Sequence, residues 1–319
     1  MRKQFTLASI SVFILTISCL AAPLFAQDAQ PQNSSSDLVR VVITATGRSG
    51  TVPPALAKID VSVHQDNQPR PVVALVPANS PKAPLDFVIL VDDSLSTRLG
   101  TQFRDIKEFI RALPQNSRIA VAYAANGTAT IQQNFTTDRA AAEKAIRLPN
   151  GQFQGSNGVY FALGDLIKKW PQDAARREVL LISDGIDLTY GVDDTAPGLN
   201  PALDQAIDAA QRNNITVYSL FASGAGVVAR NQFLIFNGQG CLGKLTLDTG
   251  GDSFFLGFQT PVEFRPFLQE LTTMLGRQYL LTFRAALPQK QGFHNLKVST
   301  EMSGVQLLAP SRIYLPAAH

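Results

Sequence analysis

Apolar and polar positions alternate in short runs at both ends of the chain and merge into longer apolar blocks between them. Leu38 to Thr46, Ile59 to His64 and Pro71 to Val76 read as strands, divided by turn-forming clusters at Gly47-Arg48-Ser49-Gly50 and Asp66-Asn67-Gln68-Pro69. At Leu85 the pattern changes. Leu85-Asp86-Phe87-Val88-Ile89-Leu90-Val91 is almost continuously apolar, as a strand covered on both faces must be. Thr101 to Leu113 has helical spacing in Phe103, Ile106, Phe109, Ile110 and Leu113, and stops at Pro114. Ile119 to Ala124 and Thr128 to Phe135 predict a hairpin around Asn126-Gly127. Further helices are predicted over 137–147, 158–170, 201–212 and 262–276, and further strands over 178–183, 216–221 and 253–256. After Gln278 strand patterns return at 279–284, 293–300 and 305–315.

Strands alternating with helices predict an α/β class fold, a doubly wound and mostly parallel sheet with helices on both faces, over residues 84–277. The β-rich segments 38–80 and 278–316 are each too short to stand alone. They are expected to pair as one small sandwich into which the α/β domain is inserted.

The first residues change the picture of where the chain works. Arg2 and Lys3 precede an apolar run from Phe5 to Leu20, and small residues lead to Leu24-Phe25-Ala26 before polar Gln27-Asp28. This layout predicts an export signal over 1–26, with a retained membrane anchor as the alternative. Residues 27–37 read as a flexible tether. The expected location is exported: periplasm, cell envelope or extracellular space. Without Arg2 and Lys3, the 28 basic side chains become 26 against 25 acidic ones. That balance gives no reason to expect nucleic acid or an anionic membrane as partner. Cys241 is then the single cysteine left, so no internal disulfide is expected and a buried apolar role suits it.

Ligands in doubly wound sheets sit beyond the carboxyl ends of the strands. After the first buried strand comes Asp92-Asp93-Ser94-Leu95-Ser96, and after the second comes Asp184-Gly185. Between them, ahead of a helix, lies Gly155-Ser156-Asn157-Gly158. Carboxylate, hydroxyl and amide oxygens from three loops can therefore meet at one edge. Hard oxygen donors of this kind suit Mg2+, with Mn2+ or Ca2+ as alternatives.

FVILVDDSLS resembles the first strand and Asp-x-Ser-x-Ser motif of von Willebrand factor A domains, and VLLISDGID resembles their fourth strand. The resemblance implies a six-stranded sheet wrapped by helices and a metal-ion-dependent adhesion site. In it, Ser94 and Ser96 would touch the cation directly, while Asp92 and Asp184 act through bound water. A carboxylate of a protein partner would complete the coordination. The stretch GSNGVYFAL departs from the family pattern by placing Asn157 where Thr is usual and Phe161 where Asp often stands. Asn157 still offers a carbonyl oxygen. LTLDTGGDSFF, RQYLLTF and SRIYLP resemble, in order, segments of exported Acidobacterial-type von Willebrand factor A-related proteins. That wider resemblance implies architecture and binding, and no enzymatic activity.

The sequence admits other readings. Gly238-Gln239-Gly240-Cys241-Leu242-Gly243-Lys244 matches two phosphate-loop patterns, but Leu245 stands where Ser or Thr would hold magnesium. No nucleotide is expected there, and the stretch reads as a Gly-rich surface loop. Asp187, Asp193 and Asp194 read as a solvated acidic loop, with a second cation as the alternative. A scaffold with a degenerate metal site is the runner-up function. A metal-dependent hydrolase follows it, weakened because His64, His294 and His319 all lie outside the α/β region.

Overall fold

The computed structural model describes residues 37–48, 51–151, 158–171, 176–226 and 230–318. The chain enters through β1 (Leu38–Gly47), makes a tight hairpin of β2 (Ser62–Gln65) and β3 (Gln68–Arg70), and continues into β4 (Val72–Pro77). Asp66 and Asn67 form that turn with φ of 49° and 63°, left-handed values that short polar side chains tolerate well. The strand expected from Ile59 starts later. Lys58–Asp60 is a 3-10 turn, held by Asp60 Oδ2 accepting the Ala57 N–H at 2.7 Å.

β5 (Leu85–Asp92) is buried at every residue, as its unbroken apolar run requires. It runs parallel to β6 (Ser117–Ala125) on one side and β8 (Arg176–Ser183) on the other. β9 (Ile215–Phe221) and β10 (Ser253–Phe254) extend the parallel set, and β7 (Thr128–Thr136) closes the far edge antiparallel to β6. The order across the sheet is β10-β9-β8-β5-β6-β7. The β6–β7 turn uses Asn126 and Gly127 at φ of 52° and 72°.

Helices cover both faces. α1 (Gly100–Ala112), α2 (Arg139–Ala145) and α6 (Arg265–Gly276) pack on one side through Phe103, Ile106, Ala142, Leu271 and their neighbours. α3 (Val159–Lys168), α4 (Pro201–Arg212) and α5 (Gln232–Thr249) cover the other through Leu163, Leu203 and Leu242. Local signals set several helix starts. Asp138 accepts the N–H groups of Ala140 and Ala141, so α2 begins after it rather than at Thr137. Asn200 with Pro201 opens α4, and Asn231 opens α5.

The chain then forms β11 (Gln278–Arg284), β12 (Gly292–Ser299), β13 (Val305–Leu308) and β14 (Arg312–Leu315). Two four-stranded antiparallel sheets result, β13-β1-β11-β4 and β14-β12-β2-β3. Each mixes strands from both ends of the chain. Val41, Ile43, Val63, Leu281, Phe283, Leu296 and Ile313 pack as one core shared by the two sheets. The single strand expected over 305–315 is two strands in different sheets. Pro310 has no N–H to continue a ladder, and Ser311 Oγ donates instead to Asp248 Oδ1 at 3.0 Å.

A buried polar knot joins this sandwich to the base of the central sheet. Arg176, fully buried at the start of β8, donates to the carbonyls of Ala83 and Ala78 and to Gln278 Oε1. Gln278 Nε2 donates in turn to Glu178 Oε2 and Tyr218 Oη at 2.9 and 2.8 Å.

Candidate functional site

The carboxyl ends of β5 and β8 place Asp92 and Asp184 at one edge of the sheet, both buried. Asp92 Oδ1 accepts the N–H of Ser94 at 3.0 Å and its hydroxyl at 2.7 Å, while Oδ2 accepts the hydroxyl of Ser183 at 2.8 Å. A hydroxyl that donates its proton to a carboxylate retains acceptor lone pairs on its oxygen. Asp184 Oδ1 accepts the N–H of Ile186 at 2.9 Å. Ser96 is half-buried, and its Oγ accepts the Arg98 N–H at 3.3 Å. The loop after β5 thus bends into two successive side-chain-capped turns that gather Asp92, Ser94 and Ser96.

Asp92, Ser94, Ser96 and Asp184 therefore share one edge, in the loops expected to carry them. Asn157 lies outside the described residues. Asp93, a further acidic residue beside the site, is charge-paired. Arg147 pairs with it through two contacts of 2.7 and 3.0 Å, and Asn150 donates to it at 2.6 Å. The Arg147 guanidinium also lies 3.8 Å from the centre of the Tyr123 ring, which fixes the clamp. Asp187 is buried, not solvated, and its Oδ1 accepts the Thr189 N–H at 2.9 Å.

A third loop joins the site. Ser223 to Gly226 follows β9 and pairs with the Asp92–Ser96 loop: the Ser96 N–H donates to Ser223 O at 3.1 Å, and the Ala225 N–H to Ser94 O at 3.0 Å. The signal was present in the sequence, since Ser223-Gly224-Ala225-Gly226 also follows a buried strand. Arg147 had no such signal, because only the tertiary fold brings it to Asp93.

The Gly-rich stretch at 238–244 is not a surface loop. It is the middle of α5, and its glycines permit close packing. A Cβ on Gly238 would lie 2.3 Å from Asp184 O, and one on Gly240 2.7 Å from Pro197 Cγ. Helix propensity alone favours Gly238→Ala by about 1 kcal/mol, whereas overpacking against fixed backbone costs about 1–3 kcal/mol. The clash wins. Gly238→Ala is expected to destabilise the fold in urea denaturation and to weaken any ligand held at Asp184. A stabilised variant would refute this packing account.

Electrostatics set the site apart. Among the described residues neither Asp92 nor Asp184 has a basic partner. Burial pushes both carboxyls above the usual carboxylate range, and repulsion from Asp92 helps carry Asp184 to about 8. The folded state then holds protons that the unfolded state releases, so this contribution to stability falls as pH rises. It is greatest below the unfolded carboxylate value of about 3.9 and is lost as pH passes through about 8. With EDTA present, Asp184→Asn is expected to gain stability relative to wild type as pH rises from about 5 to about 8. Paired urea titrations across that range test this, and a constant difference would contradict it.

The donor set fits a hard cation. Two carboxylates without a basic partner and two serine hydroxyls lie at the same sheet edge, and among the described residues no cluster of three His, Cys, Asp or Glu side chains forms a self-sufficient metal cage. A cation here would rely on hydroxyl oxygens and water, and so retain charge for an external ligand.

No protein-family model and no curated protein matches the chain. Among solved structures, it is similar to an aerotolerance-related membrane protein from Bacteroides fragilis, at 16% identity, a TM-score of 0.43, and coverage of 60% of this chain and 98% of that one. A von Willebrand factor type A protein from Catenulispora acidiphila matches at 12% identity and a TM-score of 0.41, over 89% of this chain and 74% of the other. Proximal thread matrix protein 1 from the mussel byssus matches at 12% identity and a TM-score of 0.40, over 65% and 49%.

Proposed function

We propose that the chain is a protein-interaction module of von Willebrand factor A type, which holds Mg2+, or Mn2+ or Ca2+ in its place, and engages a partner carboxylate through it. Asp92, Ser94, Ser96 and Asp184 would hold the ion, with Asn157 as a further oxygen donor. The observation that supports this most is the placement of two buried carboxylates, without a basic partner among the described residues, at the sheet edge where the Ser94 hydroxyl donates to Asp92. The bound ion would supply positive charge to that edge. The protein's own groups orient the site: Ser183 holds Asp92, and the Asp93–Arg147 clamp fixes the loop between them.

His64 and His294 lie on β2 and β12 of the sandwich, away from this edge, which favours binding over hydrolysis. Among the described residues no helix is long and apolar enough to cross a membrane. The predicted signal at 1–26 lies outside the described residues, and export to the periplasm, envelope or medium stays part of the proposal. Calorimetric titration of the whole chain with millimolar Mg2+, Mn2+ and Ca2+ is the direct test. Absence of heat with all three would overturn the reading and leave a scaffold in its place.

A further inference from the structure

A cleft of about 660 Å³ opens beside Ser96, between the Asp92–Ser96 loop, the Ser223–Gly226 loop and Gln259-Thr260. Its lining holds two charged residues, Arg98 and Arg230, both cationic and both exposed. Among the described residues neither guanidinium has a hydrogen-bond or ion-pair partner. Its polar lining is largely occupied by the protein itself: Ser223 N–H donates to Thr260 Oγ1, Thr260 N–H donates to Ser223 Oγ, and Gln102 holds the carbonyls of Pro261 and Val262. That leaves a net positive recess. Recesses concentrate the field of their fixed charges.

Charge complementarity selects the occupant. We propose that the cleft receives an acidic segment of a partner protein carrying at least two carboxylates, one for the cation edge and one for Arg98 and Arg230. This rests on the cation reading for the first carboxylate only; the arginine pair acts on its own charge. A guanidinium fork matches a carboxylate through two parallel hydrogen bonds. A nucleic acid would need an extended basic surface, which a chain of nearly balanced charge does not supply.

The test uses the whole chain and a fluorescent probe peptide, acetyl-Gly-Asp-Glu-Asp-Glu-Gly-amide, in millimolar Mg2+. Binding is expected, and Arg98→Glu with Arg230→Glu is expected to weaken it by about tenfold or more while Mg2+ binding is retained. The Asn/Gln version of the peptide is expected not to bind. Failure of the acidic peptide to bind wild type, equal binding of the amide peptide, or an affinity within twofold after charge reversal would each overturn the inference. So would displacement by an equimolar amount of inorganic phosphate, which would mark a general anion site. If EDTA leaves peptide binding intact while charge reversal abolishes it, the arginine cleft stands and the cation reading falls. If EDTA abolishes binding and charge reversal does nothing, the cation reading stands and this inference falls.

Discussion

Arg176→Met is expected to lower the unfolding free energy by about 3–5 kcal/mol, the largest stability change of any substitution considered for this chain. Arg176 and Glu178 are both fully buried, 3.6 Å apart at their nearest ion-pair atoms. Burial pushes the Glu178 carboxyl up and the Arg176 guanidinium down, while their mutual attraction opposes both shifts. Removing the cation leaves a buried carboxylate whose counter-charge has gone. It also leaves Gln278 Oε1 without its donor, at a cost of about 1–3 kcal/mol, whereas the carbonyls of Ala78 and Ala83 keep Asn116 Nδ2 as a donor. Arg176→Met together with Glu178→Leu removes both charges and is expected to recover most of the loss. Urea denaturation of the two variants decides it. A single-variant loss below about 1 kcal/mol, or a double variant no better than the single, would show that the knot does not behave as an ion pair.

Ser94→Ala combined with Ser96→Ala is expected to abolish Mg2+ binding with little harm to the fold. Both residues sit in the loop beyond β5, where loss of a capping hydroxyl costs about 1–2 kcal/mol or less. The effect on the ion is larger, because a site dominated by hydroxyls and water has few ligands to lose. Asp184→Ala is expected to act in the same direction by removing half of the negative charge that attracts the cation. Calorimetry with Mg2+ reads the loss, and a urea midpoint close to wild type shows that the variants are folded. Undiminished heat in the double serine variant would place the ion elsewhere.

Much of this architecture can be read along the chain, for identifiable reasons. β5 and β8 declare themselves because a strand buried on both faces is apolar over most of its length, and the loops after them carry the chemistry. Pro201 after Asn200 marks α4 through local capping that needs no tertiary information. The errors fall where contacts at long range decide. Glycines 238, 240 and 243 argue against a helix by propensity, yet α5 runs through them because two of them meet Asp184 and Pro197 at distances no side chain would allow. The pairing of Asp93 with Arg147, distant in sequence, has no local signal either. Strand period alone also cannot show that 305–315 changes sheets at Pro310.

The interleaving of chain ends in the sandwich has a consequence in time. β1 to β4 are made first, but apart from the local β2–β3 hairpin their sheet partners are β11, β12 and β13, made only after the entire α/β segment has been synthesised. Loop-closure entropy rises only logarithmically with the length between partners, so the delay adds little to equilibrium stability while slowing the search for contacts. The α/β sheet, whose strands neighbour one another in sequence, can assemble meanwhile. A chain stopped just after α6 would therefore present the entire cation edge on a sheet whose base lacks Gln278, with Arg176 and Glu178 left to find each other unaided.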